Sequence, residues 1–324
     1  MPVYPVESGK TSCASAGCLC HDRVPRYPSD LTDEQWKLLR PEVEAVMAGL
    51  RRGPGGRAMV HDLRAMVDAI GYVTRNGIEW RALPVDFPPW QAVYAFFGRW
   101  NQRGMPQRLV DGLRGRLRVA CGRAVLPTAG IIDAQSVKAA DTVGAASRGY
   151  DAGKKINGRK RHIVVDSMGL LLVVVVTAAS MQDRDAAFRV LVTLRARFST
   201  ISLVWADGGY AGRLVVWAKS VLSLTVQIVK RSDDTKGFEL LPRRWVVERT
   251  FGWLLRYRRL VRDYERRPDH HEAMVLWAVV TIMTRKLQQE TSSTSPAHPA
   301  RSGRPRTGPP EPPADPPEHI QQAA

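Results

Sequence analysis

Apolar residues recur at helical spacing through the first third of the chain. Between Met59 and Tyr72, the side chains of Val60, Leu63, Met66, Val67 and Ile70 fall on one face. Ser29-Asp30-Leu31-Thr32-Asp33-Glu34 reads as a capped helix start leading into Trp36, Leu38 and Leu39. Two more helices are predicted, an aromatic-rich one over Trp90–Trp100 behind Pro88-Pro89 and a basic one over Gln107–Val119. The pattern changes near Pro127. Strands are predicted at 130–133, 162–166 and 170–177, the last two joined by a Ser167-Met168-Gly169 turn. A helix over Asp183–Phe198 follows, then a strand at Ile201–Ala206, a helix at Ala211–Val221 and a strand at Leu224–Val229. Pro242 opens a long helix to about Val261, since proline suits the first turn. An apolar helix over His270–Leu287 closes the series.

The resulting order, β-β-β-α-β-α-β-α, is that of an RNase H-like α/β fold, a mixed five-stranded sheet with helices on both faces. The expected organisation is a flexible leader at 1–25, a helical DNA-binding domain at 26–126, a catalytic domain at 127–290 and a disordered Pro-rich tail at 291–324. The longest apolar run, Leu170 to Ala179, has ten residues and is too short to span a bilayer. With no signal-peptide core in the first 25 residues, the expected location is cytoplasmic, at the nucleoid.

Charge adds the partner. The 324 residues carry 48 Lys+Arg against 31 Asp+Glu, a net +17 that favours nucleic acid over any neutral or cationic ligand. Of the four cysteines, Cys13, Cys18 and Cys20 cluster beside His21. They lack the paired Cys-x-x-Cys of a zinc module, and a structural metal is not expected there.

Three acids have topological meaning. Asp133 lies in the first strand, Asp207 directly follows the fourth, and Glu248 lies in the helix after the fifth. Strands one and four are neighbours in an RNase H-like sheet, so their carboxylates should converge and the helix should bring Glu248 across. Taken singly, an Asp after a strand is often a turn former. Together, three hard oxygen donors suit Mg²⁺, which keeps several waters and needs few protein ligands. Two such ions can cut a phosphodiester by activating an oxygen nucleophile and relieving charge on the leaving oxygen. Asp133 is the natural bridge between them.

The chain resembles the bacterial insertion-sequence DDE transposases of the group founded on insertion sequence five, over roughly residues 27–287. The resemblance is carried by Tyr27-Pro28-Ser29-Asp30-Leu31-Thr32-Asp33-Glu34-Gln35-Trp36, by Trp80-Arg81-Ala82-Leu83-Pro84 and by Phe87-Pro88-Pro89-Trp90. It continues in Gly158-Arg159-Lys160-Arg161-His162, Gln182-Asp183-Arg184-Asp185, Ala206-Asp207-Gly208-Gly209-Tyr210 and Arg244-Trp245-Val246-Val247-Glu248-Arg249. The resemblance implies cleavage at the terminal inverted repeats of a mobile element, attack of the freed 3′-hydroxyl on target double-stranded DNA, and a homodimer in the synaptic complex. It implies Mg²⁺, with Mn²⁺ able to substitute, on Asp133, Asp207 and Glu248. Related enzymes carry Tyr-x2-Arg-x3-Glu-x6-Lys around the last acid. Arg244 and Glu248 keep two of those places, while Leu241 and Leu255 stand at the tyrosine and lysine places. Only 40 residues separate Asp207 from Glu248, too few for the β-domain that some relatives insert there.

Basic residues supply the candidate DNA contacts: Arg159, Lys160 and Arg161 before the second strand, and Arg244, Arg249 and Arg256 on the last catalytic helix. Arg244 and Glu248, four apart, share a helical face. A solvated, salt-bridged face is the alternative for all of these. His162 reads as a strand residue rather than a proton shuttle, because metals can generate the nucleophile without it. Trp80, Trp90 and Trp100 read as core rather than as base-stacking platforms. Met59–Tyr72 and Gln107–Val119 are both candidate recognition helices. Two other functions compete with transposition: a catalytically inactive, sequence-specific DNA binder, and a nuclease that does not join strands.

Overall fold

The computed structural model describes residues 20, 22–50, 61–229 and 242–293. The helical segment holds α1 (Asp33–Leu50), α2 (Leu63–Asn76), α3 (Trp90–Gln102) and α4 (Met105–Ala120). α1 begins at a reciprocal cap. The Gln35 amide N–H donates to Thr32 Oγ1, and the Thr32 N–H donates to Gln35 Oε1, both at 3.2 Å. Asp62 caps α2 by accepting from the Ala65 N–H at 2.7 Å. Chain anchoring starts earlier than residue 26. Arg23 is buried, with its guanidinium against Asp30, Asp68 and Asp86.

The sheet is built from β1 (Ala129–Lys138), β2 (Gly149–Asp151), β3 (Ile156–Val165), β4 (Leu171–Ala178), β5 (Leu203–Ala206) and β6 (Thr225–Ile228). Its order is β4-β3-β1-β5-β6, with the short β2 beside the start of β3. β1, β3 and β4 run antiparallel as a meander, while β5 and β6 add in parallel to β1. These are the five expected strands in RNase H-like arrangement. β2 is the addition, too short and polar to show as a strand in sequence.

β4 is buried over Leu171–Val176, which explains its unbroken apolar run. It is also an outer strand, and side chains from the covering helices satisfy its free edge. Glu272 accepts from the Val176 N–H at 2.8 Å, and Arg114 donates to the Leu171 carbonyl at 3.1 Å. The β3–β4 turn is tied by Asp166, which accepts from the N–H groups of Met168 and Leu170 and pairs with buried Arg118. Gly169 completes that turn at φ +83°, where a β-carbon would also strike Thr250 Oγ1 at 2.9 Å.

Strand alternation sorts the core into two layers. Ile132, Val164, Val173 and Val175 face α5 (Asp183–Arg197) and α6 (Arg213–Leu222). Ile131, Ile163, Val165 and Val174 face the other layer, which contains α7 (Pro242–Leu255), α9 (Pro268–Ser293) and α1–α4. The helical segment and the sheet therefore share one hydrophobic cluster. α9 is its axis, nearly all apolar from Ala273 to Val280. It extends to Ser293, three residues into the span expected to be tail.

The long helix expected to reach Val261 stops at Leu255. Its last turn tightens through Arg256 N–H to Trp253 O and Tyr257 N–H to Leu254 O, and Arg75 of α2 takes the Arg256 carbonyl at 2.7 Å. A one-turn helix, α8 (Arg258–Val261), follows. Met59, Val60 and Leu241, along with Cys13, Cys18 and His21, lie outside the described residues.

Candidate active site

The parallel pairing of β1 with β5 ends at Ile131↔Trp205. Asp133 and Asp207 each stand two residues further on, at the same level of neighbouring strands. By alternation both share the face of Ile131 and Trp205, which is the face that α7 covers. Each is fixed locally by a backbone amide. The Ala134 N–H donates to Asp133 Oδ1 at 2.7 Å, and the Gly209 N–H donates to Asp207 Oδ1 at 2.8 Å. α7 packs on the sheet through Val247, Phe251 and Leu254, which leaves Glu248 on its open side, 44% exposed.

Arg244 links two of the three acids. Its Nη2 lies 3.8 Å from Asp207 Oδ2 and 3.6 Å from Glu248 Oε1. Lys154 reaches the first strand from the β2–β3 turn and donates to the Ala134 carbonyl at 3.2 Å. Burial pushes the Asp133 carboxyl up to about 6, and the nearby Asp207 charge pushes the same way against Arg244 and Lys154. Among the described residues, no three His, Cys, Asp or Glu side chains converge at ligand distance. Asp133 and Asp207 stand level on neighbouring strands and a guanidinium lies between Asp207 and Glu248, but the expected convergence of all three acids is not seen at ligand distance.

Three of the expected DNA contacts are corrected by burial. Arg159 is 1% exposed and donates to Asp263 Oδ2, Ser147 O and Oγ, Glu265 O and Arg266 O. Arg161 is fully buried and donates to the Gln135 side-chain carbonyl and to Leu260 O. Lys160 is buried on the opposite face, at 3.4 Å from Asp151 and 3.0 Å from Asp183. Their donors face the protein interior. On α7, Arg249 gives one donor to Met168 O and lies over the Trp253 ring, while Arg256, just beyond the helix, is exposed.

His162 is buried, its Nε2 lies 3.0 Å from Thr177 Oγ1, and burial pushes its imidazole down to about 4. It is a neutral strand residue. Trp100 is buried, and Trp80 and Trp90 pack against the same core. The two candidate recognition helices are core helices. α2 has no exposed residue, and α4 buries Leu109, Val110, Leu113 and Leu117. Cys20 is buried with its Sγ 3.9 Å from His61 Nδ1. Lys154 is one of the basic residues that crowd the loop between the first two predicted strands, and it lies beside Asp133. Its position depends on the β2–β3 turn, which no apolar pattern announces.

Fold and site together define a class: an RNase H-like domain with one acid within β1, one just past the end of the parallel neighbour β5 and a third on a covering helix. Comparison with known proteins narrows it. A family model described as "Transposase DDE domain" matches residues 126–283, and one described as "Putative transposase of IS4/5 family" matches residues 31–110. The chain is 32% identical over 143 residues to the "Putative transposase for insertion sequence element IS402" of Burkholderia cepacia, covering 42% of this chain and 67% of that protein. No solved structure matches the chain. The chain belongs to the insertion-sequence DDE transposases.

Proposed function

We propose that this transposase binds the terminal inverted repeats of its insertion sequence, cleaves phosphodiester bonds there and transfers the 3′-hydroxyl ends to target DNA. Asp133, Asp207 and Glu248 are the proposed catalytic and metal-holding residues. The observation that carries this is the shared level and shared face of Asp133 and Asp207 beyond the Ile131↔Trp205 pair, with Glu248 joined to Asp207 through Arg244.

The residues suit a hard divalent cation. All donors are carboxylate oxygens, and burial, with the nearby Asp207 charge adding to it, makes Asp133 resist ionisation, so the site gains from added positive charge. When bound, a pair of Mg²⁺ or Mn²⁺ ions supplies an activated attacking oxygen and charge relief on the leaving oxygen. Asp133, Asp207 and Glu248 would hold the ions. Arg244, in this reading, holds the two outer acids in register and then turns its guanidinium to a phosphate. Lys154 adds a second cation at the mouth, and exposed Arg256 extends the DNA path, with Arg249 giving its remaining donors.

The helical segment at 26–126 is proposed to grip the element ends by its exposed rim, since α2 and α4 are committed to the core. Two ends must be cut, so a homodimer is the proposed working form, acting on DNA in the cytoplasm. Among the described residues, no helix is long and apolar enough to cross a membrane.

The test is incubation of the protein and its Asp133→Ala variant with labelled element-end DNA, Mg²⁺ and a plasmid target. Cleavage and joining by the parent alone is expected. Binding without cutting would leave an inactive DNA binder, and cutting without joining would leave a nuclease. Equal cleavage by both proteins would overturn the triad.

A further inference from the structure

Arg161 has surroundings unusual for a buried cation. It has no exposed surface, and no carboxylate among the described residues lies within ion-pair distance of it. Its Nε donates to Gln135 Oε1 at 2.9 Å, Nη2 reaches the same oxygen, and Nη1 donates to the Leu260 carbonyl at 3.0 Å. The guanidinium carbon also lies 5.9 Å from the Phe251 ring centre. A buried arginine with only neutral acceptors is costly, and an apolar side chain of similar volume is often as stable or more so. The Asp263 charge favours the cation from beyond ion-pair distance, which offsets part of the cost but does not explain why an arginine is held there.

Its partners suggest what does. Gln135 is two residues after Asp133 on β1, on the same face. Leu260 lies in α8, shortly after the helix that carries Glu248, and Phe251 is one turn from Glu248 on α7 itself. One planar fork thus ties the strand of the first acid to the helix and turn of the third. Two residues earlier on β3, Arg159 fastens the next stretch, at Asp263, Glu265 and Arg266. That stretch lies along the end of β1 through Asp263 N–H to Lys138 O at 2.9 Å and Ala140 N–H to Asp263 O at 2.7 Å.

We propose that Arg161 is a positioning residue for DNA cleavage, setting the placement of the Glu248 helix against the Asp133 strand. This rests on the triad reading above. Displacement of a reacting group by about 1 Å can cost roughly 100-fold in rate. Arg161 touches no open surface, so its loss should leave DNA binding alone.

The experiment compares the full-length protein with Arg161→Met and Arg161→Lys, using cleavage kinetics on labelled element-end DNA and amide hydrogen exchange. Arg161→Met should lower kcat by about 10- to 100-fold with KM for DNA within about threefold. Exchange at the Leu260 amide, which bonds Tyr257 O within the turn that Arg161 holds, should accelerate. Arg161→Lys, which can still reach one acceptor, should recover part of kcat. If Arg161→Met fails to fold, Gln135→Met removes the β1 end of the tie alone and should show the same split. Unchanged exchange, or a loss confined to KM, overturns the proposal. Faster exchange with intact cleavage likewise overturns it, and loss of the triad reading would show separately as equal cleavage by Asp133→Ala.

Discussion

Asp263→Ala removes the acceptor at the centre of a buried charged cluster. Asp263 is fully buried and accepts three hydrogen bonds, each at 2.9 Å: from Arg159 Nη1, from His271 Nδ1 and from the Glu265 N–H. Alanine leaves Arg159 with four neutral acceptors and no carboxylate. Breaking a buried ion pair from one side costs about 3–5 kcal/mol, because the surviving charge stays desolvated. Against a total stability of about 5–15 kcal/mol, that is a large fraction. Asp263→Asn keeps an acceptor and the shape but loses the charge, so it should cost less.

The pH dependence has a definite sign. Burial raises the Asp263 carboxyl, but His271, the Glu265 N–H and Arg159 outweigh that and hold it below the ordinary 3.8. A depressed carboxyl contributes stability above 3.8, and that contribution is lost as pH falls through the folded value. Urea unfolding of the parent and Asp263→Ala should therefore differ by about 3–5 kcal/mol near neutrality, and by less below pH 3.8. A difference under about 1 kcal/mol at pH 7 would refute the clamp, since it would fall in the range of an exposed pair.

The other predictions concern the mouth of the site. Asp133→Asn should raise apo-protein stability by about 3 kcal/mol at pH 7.5, because a carboxyl raised from 3.8 to about 6 carries its charge at a cost above that range. The gain should fade towards pH 4, and thermal melts without metal would check it; a variant less stable at pH 7.5 would contradict it. Arg244→Ala should slow cleavage yet bind Mn²⁺ no more weakly in calorimetry, since the guanidinium competes for Asp207 and Glu248. DNA affinity should fall at least about tenfold between 50 and 200 mM salt, and a flat response would remove the phosphate contacts.

The strand order and the level of the acids were legible because both depend on local pattern. A run such as Leu171–Val176 can hardly be anything but a doubly buried strand, and a β-β-β-α-β start leaves few topologies. The break at Leu255 was not legible. It depends on Arg75, which is 181 residues from the carbonyl it takes, and no window of sequence contains both. The burial of α2 and α4 was hidden in the same way. Their amphipathic faces were visible, but α9, which covers α4, lies about 160 residues later in the chain.

The run Arg159-Lys160-Arg161 shows why charge was the poorest guide. Three consecutive cations read as a solvent or DNA face, since a buried cation normally needs a partner. In a strand, however, consecutive side chains point to opposite faces, so no single surface can present all three. Lys160 goes to one side, to Asp151 and Asp183, and the two arginines go to the other. Each guanidinium has enough donors to satisfy backbone carbonyls inside the protein, which lysine, with its compact ammonium, does less well. The alternation was available in sequence once β3 was recognised, and it already separated Lys160 from its neighbours. What it did not supply were the acceptors at Leu260, Glu265 and Arg266, which arrive about 100 residues later. The net +17 thus overstates the charge free to meet DNA, and the cations that act on the acids from an open side, Lys154 and half-exposed Arg244, become the ones to mutate first.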